Sequence, residues 1–191
     1  ARDKSAVEFV IKRLFEADGV VQTAAGKQDA PRWLSRDRST TYTLLVDYTK
    51  LWQTLPTVID TLLQQDGIFE DVVQSLAHDR HGPRVALRHE LIPYLGRRTT
   101  FVTENDGSIL GDGQQSMLAI EVTDPRRVAL TVDKCMGKDP DFRPITEAGV
   151  KIWTSGSEGA SEVSKHAVCV AHGCLVISNQ GMMIETLRSA D

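Results

Sequence analysis

No run of apolar residues in this chain is long enough to cross a bilayer. The longest, such as Leu44-Leu45-Val46 and Ala167 to Ala171, fall far short of the roughly 20 residues a spanning helix needs. A basic stripe is missing too. The 22 Lys and Arg against 26 Asp and Glu leave a net charge of −4 with both signs interspersed. Such a surface lacks the counterion-releasing patch that nucleic acid requires, so no nucleic-acid partner is expected. Cysteine is scarce: Cys135, Cys169 and Cys174 are odd in number and none forms a CxxC pair, which argues against a disulfide framework. The chain also has no HExxH, no GxSxG elbow and no Walker GxxxxGK[ST] loop, the short patterns that would announce a metalloprotease, a hydrolase or a nucleotide site.

What is present describes an ordinary folded domain. With 41% hydrophobic and 25% charged residues, a chain of this length can bury about 70% of its unfolded surface and needs neither disulfide nor metal to hold a core. No cofactor is expected. A single α+β domain over residues 1–191 accounts for the pattern, with the breaker segment His78 to Pro83 as the seam if it is built of two halves, 1–82 and 83–191. The start at Ala1-Arg2-Asp3-Lys4 and the end at Ser189-Ala190-Asp191 read as those of a fragment of a longer protein.

Periodicity places the elements. A helix is expected from a Ser5 cap to about Ala17, with Phe9, Val10 and Leu14 on one face, then a polar loop over 22–40 anchored by Trp33 and Leu34. Thr41 to Asp47 reads as a strand, Leu51 to Gln65 as a helix delayed or bent by Pro56, and Ile68 to Ala77 as another helix. Arg84 to Leu87 reads as a short strand, His89 to Leu95 as a helical turn and Arg97 to Thr103 as a strand. Residues 104–115, with three glycines beside Glu104, Asp106 and Asp112, have the composition of a loop rather than an EF-hand, because the alternate oxygen ligands and terminal Glu are missing. Strands follow at Met117 to Val122 and Val150 to Thr154, and His166 to Ser178 reads as a hairpin turning at His172-Gly173. Asp124-Pro125 is a strong helix start, with the helix ending at Gly137, and Asn179 is a candidate cap for a last helix from Met182 to Arg188.

One local plan recurs: an aliphatic strand, a polar turn with a capping residue, then an amphipathic helix. It appears at Leu44 to Leu51, Leu118 to Val128 and Leu175 to Met182, which suggests an internal βα repeat. The order points to an antiparallel or mixed sheet with helices mainly on one face. In the last hairpin, Cys169 faces Val176 and Ala171 faces Cys174, so the two thiols lie diagonally, about 7–8 Å apart at Cα, which is long for a disulfide.

Few residues invite chemistry. His78, His81 and His89 are the weak candidates for a metal, since a helix would put His78 and His81 on one face, but the segment ends in Gly82-Pro83 and reads as a solvated turn. No metal is therefore expected. Ser155 and Ser157 lie in a Gly-rich connector, and neither His166 nor His172 has a partner nearby in sequence. The catalytic residues, if any, are unknown at this level.

Several stretches carry a resemblance: Gly82-Pro83-Arg84-Val85-Ala86-Leu87 leading into Glu90-Leu91-Ile92-Pro93-Tyr94-Leu95-Gly96, Thr99 to Thr103, Leu118 to Pro125, Gly149 to Trp153, and Val168 to Ile177. In this order they resemble an uncharacterised domain family of large bacterial envelope-associated proteins, over residues 82–191. The resemblance implies a larger parent protein and an extracytoplasmic or envelope-associated location; it brings no activity or catalytic residue with it. The expectation is a non-enzymatic interaction or scaffolding domain with a protein partner of unknown identity. The alternatives are a hydrolase built from scattered His, Ser and Asp, or a small-ligand-binding module.

Overall fold

In the computed structural model, which describes residues 19–23, 33, 39–80, 82–105, 114–156 and 165–189, eight strands form one antiparallel sheet. They are β1 (Val21–Thr23), β2 (Ser39–Val46), β3 (Leu95–Asn105), β4 (Gln114–Val122), β5 (Phe142–Glu147), β6 (Val150–Ser155), β7 (His166–Ala171) and β8 (Cys174–Asn179). Their order is β1-β2-β3-β4-β8-β7-β6-β5, so two meanders, β1 to β4 and β5 to β8, meet edge to edge where β4 pairs with β8. The sheet runs unbroken past residues 82 and 83, because β2 and β3 pair over seven positions from Ser39↔Glu104 to Leu45↔Arg98.

Side chains alternate across a pleated strand, and here each face of the central strands meets its own helix. On one face Met117 and Ala119 of β4, Ala167, Cys169 and Ala171 of β7, Val176 of β8 and Ile152 of β6 pack with Met182, Met183 and Leu187. Those last three belong to α5 (Gln180–Ser189). On the other face Ile120, Val122, Leu175 and Trp153 pack with Val128 and Val132, which lie one helical turn apart on α4 (Pro125–Met136). Tyr48 of α1 (Tyr48–Leu63) and Tyr94 of a 3-10 turn (Ile92–Tyr94) join this second cluster. Two further helices, α2 (Ile68–His78) and α3 (Leu87–Glu90), ride on α1 and α4 rather than on the sheet. Among the described residues, helices thus lie mainly on one face, with α5 alone on the other.

In all three places the strand runs into a helix, but a side-chain cap forms in only the first two of these units. Asp47 and Asp124 cap α1 and α4 alike: each Oδ1 accepts an amide three residues on, from Lys50 at 3.0 Å and Arg127 at 3.1 Å. The third unit sends α5 to the opposite face, and the Asn179 carboxamide oxygen accepts from the Ser116 amide across the sheet at 3.0 Å. The shared plan is local.

Elsewhere the structure departs from the sequence reading for identifiable reasons. The α1 helix begins at Tyr48, before the expected Leu51, because Asp47 rather than the approach to Pro56 sets its start. Arg84 to Leu87 is no strand: Arg84 takes a left-handed φ of 54°, the Val85 amide bonds to Leu76 O, and Glu90 Oε1 accepts the Ala86 amide. The β5 strand went unanticipated because Arg143, Pro144 and Glu147 give it little apolar pattern; an edge strand tolerates Pro. Within the polar loop expected over 22–40, β1 takes Gln22 and Thr23 and β2 begins at Ser39, while the Ser5–Ala17 helix and Leu34 lie outside the described residues. Part of the 104–115 loop is also strand, since Asn105 pairs with Gln114, and residues 106–113 lie outside the description.

The last hairpin turns where expected. His172 and Gly173 have φ of 50° and 74°, the left-handed pair of a two-residue turn, and the flanking register is Ala171↔Cys174 and Cys169↔Val176. His172 also stacks on Trp33, with ring centroids 5.4 Å apart, so the expected anchor role of Trp33 has a partner. Gly137 ends α4 for a steric reason: a Cβ there would lie 2.7 Å from Asp133 O and 3.5 Å from the Trp153 ring.

Removing the Asp124 carboxylate should orphan the Arg127 amide. Asp124→Ala is expected to lower stability by about 0.5–2 kcal/mol, read as a lower urea midpoint with an unchanged slope.

Candidate functional site

Two surface features could carry function: a cleft between α3 and α4, and an uncovered part of the sheet. The cleft follows from the spacing on α4. Arg127, Leu130, Thr131 and Lys134 recur at three- and four-residue steps, so they share one flank of the helix and face His89, Glu90 and Tyr94. The space is open and about 520 Å³ in volume.

Its charges are already engaged. Lys134 pairs with Glu90. Arg127 pairs with Asp124 at 3.4 Å, donates to the Tyr94 hydroxyl and lies 5.1 Å from the centre of its ring. Thr131 Oγ1 donates to Glu90 O at 2.9 Å. At the edge of the cleft, Asp133 Oδ1 accepts from both Lys151 Nζ at 2.8 Å and Trp153 Nε1 at 2.7 Å, fixing the helix to β6. The Lys134 hydrogen bond and the Ala86 amide hold the Glu90 carboxyl below its ordinary range. For Asp133, burial pushes upward, but the bonds from Lys151 and Trp153 with the Lys151 charge outweigh it, and the net direction is down. Carboxylates depressed in this way stabilise the fold above the ordinary carboxylate range, and that contribution is lost as pH falls through their folded values. A catalytic acid or base needs the opposite, a carboxyl held near neutrality.

Among the described residues the histidines do not converge. His78 is exposed at the end of α2, with Nδ1 3.1 Å from Gln74 O of its own helix. His89 is exposed on α3, and His81 lies outside the described residues. Among the described residues no three His, Cys, Asp or Glu side chains are placed to hold a metal ion. His166 and His172 are exposed on β7 and its turn, Ser155 ends β6, and Ser157 lies outside the description. The three cysteines are free. Burial raises the Cys169 thiol to about 12, and it lies 3.3 Å from Met183 Sδ inside the core. Burial raises Cys135 and Cys174 as well, with Glu90 and Glu121 respectively adding to the effect.

The second feature lies on the α4 face of the sheet, beyond the helix. Ladder pairing sets Tyr42, Phe101, Leu118, Ile177 and Val168 in one row across β2, β3, β4, β8 and β7. At the Trp153 end, where Val168 meets β6, the row is buried under α4. At the other end Tyr42, Phe101 and Ile177 stay 59%, 40% and 41% exposed. Three exposed large apolar side chains on one row make a contiguous patch, which single scattered ones do not. The expected strands already contain these residues, but which of them stand opposite each other depends on register, and the sequence does not show it.

No protein-family model, curated protein or solved structure matches the chain. Among the described residues, no helix is long and apolar enough to cross a membrane.

Two outcomes check this geometry. Asp133→Ala leaves the indole N–H of the buried Trp153 without its acceptor and should cost about 1–3 kcal/mol, whereas Asp133→Asn, whose amide oxygen still accepts, should retain most of that stability in urea titrations. Thiolates, not thiols, react with iodoacetamide. Cys169 should therefore resist labelling at pH 8 in the folded protein, and mass spectrometry should find it alkylated only after unfolding.

Proposed function

We propose that this chain is a non-enzymatic interaction domain of a larger envelope-associated protein. The observation that carries the reading is the row of exposed Tyr42, Phe101 and Ile177 with half-buried Leu118 between them, an apolar strip on a sheet face whose other half is buried beneath α4. Exposed apolar patches of this kind mark contact surfaces more often than reaction centres. The cleft beside α4 offers no rival of equal weight, because Glu90, Asp133, Arg127 and Lys134 are each tied to a partner within the fold. The envelope location and the larger parent rest on the resemblance over residues 82–191.

The test is site-specific photocrosslinking in the parent protein within its own cells. A benzophenone amino acid at position 42 should give protein adducts in the envelope fraction, and one at the exposed Lys138 should not. Absence of adducts at position 42, or equal adducts at both positions, would overturn the proposal.

A further inference from the structure

The proposed contact row has an unusual electrostatic character. Tyr42, Phe101, Leu118 and Ile177 are uncharged, and the rows beside it on the same face hold no Asp, Glu, Lys or Arg. Toward the open end of the strands stand Thr40, Thr103, Ser116, Asn179 and His166; toward α1 stand Leu44, Thr99, Ile120 and Leu175. One residue in four of the whole chain is charged, with a net charge of −4, so these three rows are set apart from the rest of the surface.

Absence of charge narrows the choice of partner. A dissimilar protein is steered and oriented by complementary charges at the contact, and among the described residues these rows offer no carboxylate, ammonium or guanidinium. A second copy imposes the reverse demand. Across a two-fold axis each group near the centre meets its own kind, so a charge there would face a like charge, and only a neutral or self-complementary patch can close. The row satisfies that condition. Phe101 and Leu118 are in its middle, flanked by Tyr42 and Ile177, and three inter-strand gaps give it a length of about 14 Å.

We infer that this row closes on the same row of a second copy about a two-fold axis that runs along it, so that each position meets itself, a deduction that rests on reading the row as a contact surface. The exposed parts of Tyr42, Phe101 and Ile177 present on the order of 250 Å². Two copies with their rims would bury on the order of 1,000 Å² in all, the low end of specific interfaces. The self-association is therefore weak, and it is insensitive to salt because no ion pair spans it.

Sedimentation velocity on the chain from about 10 µM to about 1 mM reads this directly. The expected result is a dimer fraction that grows with concentration and is the same in low and high salt. Phe101→Lys alone and Phe101→Glu alone should remain monomeric throughout, while an equimolar mixture should associate again, because the two-fold then sets Lys against Glu. If circular dichroism shows that either variant is unfolded, the Tyr42→Lys and Tyr42→Glu pair at the more exposed position takes its place. A monomer at every concentration, or a dimer indifferent to these substitutions, overturns the inference. If the chain is monomeric yet position 42 crosslinks to a different protein in cells, only self-association falls; if position 42 crosslinks to nothing, the interaction reading falls with it.

Discussion

Burial of β4, β7 and β8 on both faces is the constraint from which the rest of the architecture follows. A strand covered on one side can slip and still find some apolar face to hide. These strands cannot, because Met117 and Ala119 belong to the α5 cluster while Ile120 and Val122 belong to the α4 cluster. A slip of one residue would exchange the two sets and press each against the wrong helix. The register at Leu118↔Ile177 and Val168↔Ile177 is thereby fixed from both sides, and so is the alignment of the exposed row.

The helix layer then decides which part of the face is available. The α4 helix is anchored toward β6 by Asp133, toward the 3-10 turn by Arg127 and toward α3 by Thr131, so it covers β7 and β8 and stops short of β2 and β3. The same bonds that locate the helix consume the charges around it. Polar chemistry at this surface is spent on holding α4, and what lies beyond the helix is apolar and hydroxyl-bearing.

Much of the fold was legible because its signals are local. Asp124-Pro125 announced α4, alternation announced β2, β3, β4, β7 and β8, and His172-Gly173 announced the last turn. The β5 strand escaped because Pro144 and its charged neighbours suit an unpaired edge and mimic a loop. Arg84 to Leu87 misled for the opposite reason: Val85 is apolar and fully buried, but it is buried beneath helices and not in a ladder. The contact row was not legible at all. Tyr42, Phe101, Leu118 and Ile177 are far apart in sequence, and only three successive pairings bring them side by side. The spacing of Arg127, Thr131 and Lys134 on α4 could have been read from the sequence, but the partner Glu90 that completes that flank could not.

The strand order has a kinetic meaning. The ladders β3–β4, β5–β6, β6–β7 and β7–β8 join strands with short connections, and such hairpins close in microseconds. Two ladders must close long loops: β2 with β3, whose nearest paired residues are Leu45 and Arg98, and β4 with β8, whose nearest are Glu121 and Cys174, each pair roughly fifty residues apart. The β3–β4 hairpin and the β5 to β8 meander can each assemble locally, but neither β4 nor β8 is completed until they zip together, and both α4 and α5 gain their full contacts only then. That zipping step should limit the folding rate. Until it occurs, β4 and β8 are two unpaired apolar edges, each able to pair with the other's counterpart in a neighbouring chain and so form a domain-swapped species at high concentration.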